Sequence, residues 1–186
     1  MSLGNSRAFN HNHRPQVLKG LAAGMLGGLV ASWVMEEFQS AWTAASTSMQ
    51  ENSASPATDE SQDSEEQEPA TVKAAELVSQ KLLGHRLAKN ERAIAGNVVH
   101  YATGGASGAA YGFAAELVPE VTAGAGLVFG TGVWLAVDET AVPLFGLSKA
   151  PTEYPLSTHV YALASHFVYG VTTEAVRRTL RKTILS

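Results

Sequence analysis

The sequence predicts an all-α integral membrane protein, a four-helix bundle built from two repeated helical hairpins with one amphipathic surface helix beside it. One reason is a pair of long apolar runs: residues 17–35 contain a single charge, Lys19, and residues 121–137 contain none. At 1.5 Å per residue, runs of this length cross or nearly cross a bilayer core of about 30 Å. The other reason is a set of motifs that occurs twice along the chain.

Each apolar run ends in a tryptophan followed by two adjacent acids. These two motifs read Trp33-x-x-Glu36-Glu37 and Trp134-x-x-x-Asp138-Glu139. A histidine follows each motif downstream, and after it comes a Tyr-Gly-x-x-x-Glu string. The downstream sets are His100 with Tyr111-Gly112-x-x-x-Glu116, and His159 with Tyr169-Gly170-x-x-x-Glu174. A duplicated helical hairpin accounts for both copies.

Breaking residues and composition set the predicted boundaries. Pro15 suits the start of a helix, because its missing N–H would be unpaired there, while Pro119 and Pro143 limit later helices. The spanning helices are predicted at residues 16–38, 93–117, 121–140 and 156–176. The other segments are a polar N-terminal tail at 1–15, an acidic disordered linker at 39–71, a surface helix at 72–91 and a basic C-terminal tail at 177–186.

The linker and the surface helix are predicted from different signals. Residues 43–71 contain seven Asp or Glu and no Lys or Arg, a composition that cannot bury enough apolar surface to order itself. After it, Ala74, Val78 and Leu82 recur at helical spacing. We therefore expect an amphipathic helix at the membrane boundary or against the bundle.

Small residues recur every four positions on each predicted span. The stripes are Gly20, Gly24, Gly28 and Ser32; Gly104, Gly108 and Gly112; Gly126 and Gly130; and Ala162 and Gly170. Lipid tails are as apolar as leucine, so membrane helices associate by close contact, and small residues four apart permit it. An ionisable residue on the same stripe is expected to face protein, because facing lipid would be costly.

Antiparallel hairpins would bring the repeated acids and histidines to one side of the membrane. The predicted cluster comprises Glu36, Glu37, His100, Asp138, Glu139 and His159. Three interpretations stay open. The groups bind protons or ions, since crowded carboxylates and histidine titrate readily; they hold a divalent metal such as Mn, Fe or Zn; or they are purely structural.

Three further ionisable residues lie on the same stripes. His166, in the middle of the fourth predicted span, is either a buried histidine bonded across the bundle or part of a relay from the cluster to Glu116 and Glu174. Glu174 has a simpler alternative partner in Arg177 or Arg178, three and four residues on. The sequence favours that pairing.

Several classes of function are not indicated. The chain has no cysteine, which excludes disulfides, thiolate metal sites and cysteine nucleophiles. It carries no P-loop, dinucleotide fingerprint, Gly-x-Ser-x-Gly or His-Glu-x-x-His motif, so an enzyme is not predicted. No cofactor is expected, with a divalent metal as the alternative. No basic patch with interleaved aromatics suggests a nucleic-acid partner.

Taken in order, the motifs resemble the YagU family of bacterial inner-membrane proteins, whose function is mainly unknown. They are Lys19-Gly20-Leu21-x-x-Gly24, His100-x-x-x-Gly104-x-x-x-Gly108-x-x-Tyr111-Gly112, Trp134-x-x-x-Asp138-Glu139-x-x-x-Pro143 and His166-x-x-Tyr169-Gly170-x-x-x-Glu174. The resemblance covers about residues 16–40 and 93–178. It implies a multi-pass helical protein in a bacterial inner membrane and assigns no catalytic residue.

The functional expectation is an inner-membrane protein that handles protons or cations through its acid and histidine residues, in envelope homeostasis. The alternative is a non-catalytic membrane scaffold whose acidic insert recruits partners, and the third is a membrane-embedded metal enzyme. The expected partners are the lipid bilayer and either a second copy of the chain or another membrane protein. The basic cluster after residue 176 favours cytoplasmic termini.

Overall fold

The computed structural model describes residues 13–53 and 68–183, and every regular element in these two ranges is helical. The α-helices are α1 His13–Ser53, α2 Ala70–Val78, α3 Lys89–Leu117, α4 Leu127–Ala136, α5 Val142–Leu144 and α6 Leu156–Thr183. The π-helical turns are Ser79–Leu83 and Val137–Ala141, and the 3-10 segments are Pro119–Gly126 and Pro151–Glu153. The predicted all-α class is confirmed for the described residues.

Helix α1 differs from the prediction at its C-terminal end. It is 41 residues long and continues to Ser53, through part of the segment predicted as disordered linker. No proline or glycine interrupts residues 39–53, so nothing there stops a helix that has already formed. Residues 54–67 of the predicted linker lie outside the described residues.

Left-handed backbone positions divide two of the predicted helices. The predicted surface helix breaks at Gly84, where φ is 71°, and α3 begins only after this turn. The predicted third span starts as a 3-10 segment, in which Gly124, Ala125 and Gly126 all have positive φ. Glycine accepts such angles easily, so regular α-helix begins at Leu127.

At its far end α6 extends past its predicted limit. It continues to Thr183 through much of the predicted basic tail. Arg181 and Lys182 lie in its last turn, where cations complement the negative end of the helix dipole. The Arg181 guanidinium donates to the side chain of Gln16 over 2.9 Å, so the start of α1 and the end of α6 meet at the same end of the protein.

Glycines bring α1 and α3 together in antiparallel orientation. A Cβ added at Gly24 would collide with the Gly108 carbonyl, and one added at Gly108 would collide with the Gly24 carbonyl. A Cβ added at Gly28 would likewise collide with the carbonyl of Gly104. The small-residue stripes of α1 and α3 therefore form the contact itself, and the two backbones touch.

Helices α4 and α6 meet by the same device. A Cβ at Gly130 would collide with the His166 carbonyl, while Gly126 and Gly170 each approach the other's carbonyl oxygen. This pair is also antiparallel, because the residue numbers along α6 fall as those along α4 rise. In each helix pair the glycines therefore contact backbone carbonyl oxygens of the facing helix, and any larger residue would collide with them.

The two pairs are joined through α6, which also lies against α1. An added Cβ at Gly27 would come within 2.7 Å of the Thr173 carbonyl. Nearby, Ala31, Met35 and Tyr169 form a buried apolar cluster. The Tyr169 hydroxyl donates to the carbonyl of Gly104 on α3 over 2.6 Å, so one side chain links three helices.

Helix α2 is fastened to the start of α3 by polar contacts around Glu76. The Glu76 carboxylate accepts hydrogen bonds from the Gln80 side chain at 2.7 Å and from the Leu87 amide at 3.1 Å. The Gln80 bond, and then the Leu87 bond and the Arg92 charge, lower the pKa of Glu76 below its ordinary value against the opposing effect of burial. Glu76 therefore pins the turn between the two helices in its ionised form.

Two helical stretches, Gln16–Met49 and Pro119–Leu144, are long and apolar enough to cross a membrane. Within the described ranges these are the two stretches that meet this criterion. The predicted second and fourth spans, in α3 and α6, carry more polar side chains. Among these are Asn97 and His100 in α3 and His166 and Glu174 in α6.

Substituting Gly24 by Ala should destabilise the protein by about 1–3 kcal/mol, since the added methyl group must displace the α3 backbone. Gly132 provides the matched control, because an added Cβ there meets nothing within 4 Å. Gly132→Ala should keep the stability or raise it by about 0.5–1 kcal/mol, because alanine favours a helix over glycine. Unfolding of both variants in detergent, followed by circular dichroism, measures the difference, and equal stability of the two would contradict the contact.

Substituting Glu76 by Ala should speed hydrogen exchange at the Leu87 amide, because that N–H loses its acceptor. Because the pKa of Glu76 is lower in the folded protein, its carboxylate stabilises the fold at pH values above its ordinary pKa. This stabilisation is lost as the pH falls through the lowered pKa. Acidification of the unsubstituted protein should therefore lower the protection factor of the Leu87 amide, which is the intrinsic exchange rate at the given pH divided by the observed rate. The Glu91 amide, bonded to the Ala88 carbonyl, serves as the internal control and should keep its rate in Glu76→Ala.

Candidate acid–histidine site

A cavity of about 480 Å³ lies between α1, α3, α6 and the turn after α4, beside the start of α2. The acids and histidines that line it are Glu36, His100, Asp138 and His166. Among the described residues no lysine or arginine lines it. Aliphatic and aromatic side chains make up most of the remaining wall, so the acids and histidines are set in an apolar surround.

The first acid–histidine pair joins α1 to α3. The Glu36 carboxylate lies 4.0 Å from Nε2 of His100 and accepts a hydrogen bond of 2.6 Å from the Tyr101 hydroxyl. His100 also approaches the carbonyl of Ser32, at 3.4 Å. The tyrosine hydroxyl fixes the carboxylate at the edge of the cavity, within reach of the imidazole.

The second pair joins the turn after α4 to α6. The Asp138 carboxylate lies 3.7 Å from Nδ1 of His166, and that nitrogen donates to the Ala162 carbonyl over 2.9 Å. A carbonyl can only accept, so the hydrogen bond places a proton on Nδ1. His166 is buried, and its own helix therefore sets the orientation of its ring.

A third pair, Glu139 with His159, lines a neighbouring cavity of about 230 Å³. Asp138 lines both cavities. Successive residues of a helix lie about 100° apart around its axis, so Asp138 and Glu139 can serve different spaces. Both belong to the π-helical turn Val137–Ala141, a kind of turn that is frequent at functional sites.

His159 has acceptors at both ring nitrogens. Nδ1 lies 2.7 Å from the Glu139 carboxylate, and Nε2 lies 3.0 Å from the Pro151 carbonyl. A neutral imidazole carries a single N–H, so both bonds form together with an ionised Glu139 only if the ring is doubly protonated. In that state His159 holds the loop around Pro151 against α6 and the π-helical turn.

The structure divides the predicted cluster into pairs. Glu36, His100 and Asp138 line the main cavity, Glu139 and His159 meet at the smaller one, and no three His, Asp or Glu of the described chain come close enough to hold a metal ion. The exposed Glu37 lines neither cavity. On a helix its neighbour Glu36 takes the inward position, and Glu37 is turned away.

Sequence reasoning missed two contributors to the site. Ser32 lines the main cavity, is 1% exposed, and its hydroxyl has no hydrogen-bond partner in the described chain. Its signal is a hydroxyl on a stripe otherwise made of glycine. Tyr101, which directly follows His100, carries no comparable signal in the sequence. His166, predicted either as a buried histidine bonded across the bundle or as part of a relay, is buried and lines the main cavity.

The opposite end of the bundle holds a separate charged network. Glu174 is buried and bonded to Arg177 at 2.6 Å, and it also binds Arg178, so the predicted pairing is confirmed. Glu116 on α3 lies 2.7 Å from Arg181 on α6. Removing one partner of such a buried pair would leave an uncompensated charge, so this network ties the two helices together.

The predicted relay would have to connect the two ends. Along α6, Glu174 lies eight residues from His166, a rise of about 12 Å, too far for direct proton transfer. The buried Tyr169 and Thr173 lie between them. Their hydroxyls donate to the carbonyls of Gly104 and Tyr169 respectively, so both side chains are already engaged.

Comparison with known proteins gives one family. The model of a family described as "Protein of unknown function (DUF1440)" matches residues 53–175. No curated protein and no solved structure matches the chain. The matched region includes α3, α4 and most of α6, with every histidine and acid of the site except Glu36.

Nitrogen NMR of histidine-labelled protein in lipid should show His159 protonated at both nitrogens near neutral pH, because both bonding partners are acceptors. Substituting Glu139 by Gln should return the ring to a single N–H and loosen the loop around Pro151. His166, whose Nδ1 donates within its own helix, serves as the reference ring and should be unchanged. A singly protonated His159 in the unsubstituted protein would contradict this assignment.

Proposed function

The chain belongs to the DUF1440 family, whose function is unknown, and we propose that it is a multi-pass membrane protein whose acid–histidine pairs bind and release protons or small cations. The observation that carries the proposal is the main cavity, where one carboxylate–imidazole pair from each helix pair meets in an apolar surround without a cationic side chain. The resemblance to the YagU family supports a bacterial inner membrane as the location.

Exposed apolar surface supports the membrane assignment. The most apolar part of Pro119–Leu144 has a mean hydropathy of 1.4, yet only 11% of that part is buried within the chain. Leu127, Val128 and Leu135 are among its exposed side chains. Contiguous apolar surface of this kind needs a cover, and lipid supplies one for a helix of this length.

The duplicated hairpin is part of the proposal. In each helix pair the glycine of the Tyr-Gly-x-x-x-Glu string meets a glycine of the preceding helix: Gly112 meets Gly20, and Gly170 meets Gly126. The glutamate that ends each string pairs with arginines of α6. Counted along the chain from its glycine contact, Asp138 comes one helical turn sooner after Gly126 than Glu36 comes after Gly20. The two copies therefore agree more closely in their glycine contacts than in the positions of their acids.

The chemistry of the pairs suits proton and cation exchange. A carboxylate beside an imidazole supplies both a proton acceptor and a group that attracts cations. Each pair can therefore share a proton or release it and attract a cation instead. With both pairs open to the same cavity, occupation of one changes the charge felt by the other.

A scaffold function is the second candidate. Residues 44–49 of α1 are exposed and extend the helix toward the acidic segment, beyond the contact between Trp42 and Tyr161 of α6. Such a projection is a suitable support for partner recruitment. A scaffold of this kind does not need the cavity acids, so their replacement separates the two candidates.

Replacing Glu36 by Gln together with Asp138 by Asn should abolish proton flux through the reconstituted protein, because both cavity carboxylates are lost. A pH-sensitive dye inside proteoliposomes, followed after an imposed pH step, measures the flux. Glu37→Gln is the matched control, since Glu37 lines neither cavity, and it should keep the full rate. Equal flux in the double variant and the unsubstituted protein would refute the proposal, provided that circular dichroism shows both folded.

A further inference from the structure

The charge of the main cavity determines the sign of its ligand. Two carboxylates, Glu36 and Asp138, line it, and no lysine or arginine of the described residues does. Because its two imidazoles supply no permanent positive charge, the cavity favours a cation.

The volume of the cavity determines the size of that cation. About 480 Å³ lies within the range of roughly 300–1,000 Å³ that is usual for sites of small organic molecules. It far exceeds the space of a bare metal ion, and no three His, Asp or Glu in the described ranges converge on one point. The space therefore fits a molecule with a body of its own.

The wall indicates what this body is made of. Met35, Val133, Val142 and Phe145 are among the lining residues, and they offer aliphatic and aromatic surface. Removing apolar surface from water on both the ligand and the wall favours binding. A compact hydrocarbon group carrying one positive charge matches such a lining.

Ser32 adds an independent indication of a polar ligand group. It lines the cavity, is 1% exposed, and its hydroxyl oxygen is without a hydrogen-bond partner in the described chain. A buried polar group left unpaired costs free energy, which a donor on a ligand would recover. An ammonium group offers three N–H donors, enough for this hydroxyl and a carboxylate together.

We propose that the main cavity binds a primary organic ammonium ion with a compact hydrocarbon body, its charge held by Glu36 and Asp138 and one N–H directed to Ser32. This deepens the proposed cation function and rests on it. Protons and the ammonium ion compete for the same two carboxylates, so binding of the ion displaces protons from them.

Binding of 1-adamantylammonium to the protein in lipid nanodiscs, measured by isothermal titration calorimetry, tests the proposal. The neutral molecule 1-adamantanol has the same body, so its binding reports the apolar contribution alone. We expect the ammonium ion to bind at least about tenfold more tightly than the alcohol. Equal affinities, or no saturable binding of the ammonium ion, would overturn the proposal.

Variants then locate the site. Asp138→Asn should weaken binding of the ammonium ion about tenfold and leave the alcohol unchanged. Glu37→Gln should change neither. Ser32→Ala should weaken binding of the primary ammonium ion but not binding of 1-adamantyltrimethylammonium, which has no N–H to donate. If Ser32→Ala weakened the binding of both ions equally, the proposed hydrogen bond to Ser32 would be refuted.

The outcome is separable from that of the proposed function. Proton flux that depends on Glu36 and Asp138, without binding of 1-adamantylammonium, refutes the organic ligand and leaves proton handling in place. Absence of both flux and binding refutes both. Binding that is unchanged in the Glu36→Gln, Asp138→Asn double variant would place the ligand elsewhere and overturn the assignment of this cavity.

Discussion

Close contact between glycine and a facing carbonyl oxygen is the constraint on which the other features of this protein depend. Between α1 and α3 the contact is reciprocal at Gly24 and Gly108, and between α4 and α6 it is reciprocal at Gly126 and Gly170. Backbones this close leave no space for side chains along the seam. Larger side chains are therefore placed at its ends, where the helices have more room.

This placement explains why polar chemistry collects at two separate ends. At one end Ser32, Glu36 and His100 follow the last glycine contacts, and the main cavity opens there. At the other end Glu116 and Glu174 are paired with arginines of α6. At the first end no lysine or arginine of the described residues lines the main cavity, whereas at the second end arginine already neutralises the acids. The proposed uptake of a mobile charge is therefore placed at the first end.

Sequence could predict the contacts that depend on spacing alone. The glycine stripes of α1 and α3 and the pairing of Glu174 with Arg177 follow from residues three or four apart on a helix, which share a face whatever the rest of the fold does. The division of the acid–histidine cluster depends on rotation about the helix axis. A π-helical turn at Val137–Ala141 alters that rotation, and no residue type announces it.

The limits of α1 and of the predicted third span have a different cause. Composition predicted disorder from residue 39, but helix already formed upstream extends to Ser53 because no breaking residue intervenes. In the other direction, the apolar run at 121–137 looked continuous, while Gly124 and Gly126 adopt positive φ and delay the helix. Hydrophobicity predicts burial or lipid contact, and it does not decide where backbone geometry changes.

The proposed function requires the acid–histidine cavity to be open to water while lipid covers the apolar face of Pro119–Leu144, and cysteine labelling tests this most directly. The chain has no natural cysteine, so single substitutions report cleanly. Thr103 and Val128 are both exposed side chains, but Thr103 lines the main cavity and Val128 lies on the apolar segment. In lipid nanodiscs, Thr103→Cys should react with a charged maleimide much faster than Val128→Cys. Equal rates, or no reaction at position 103, would contradict the account.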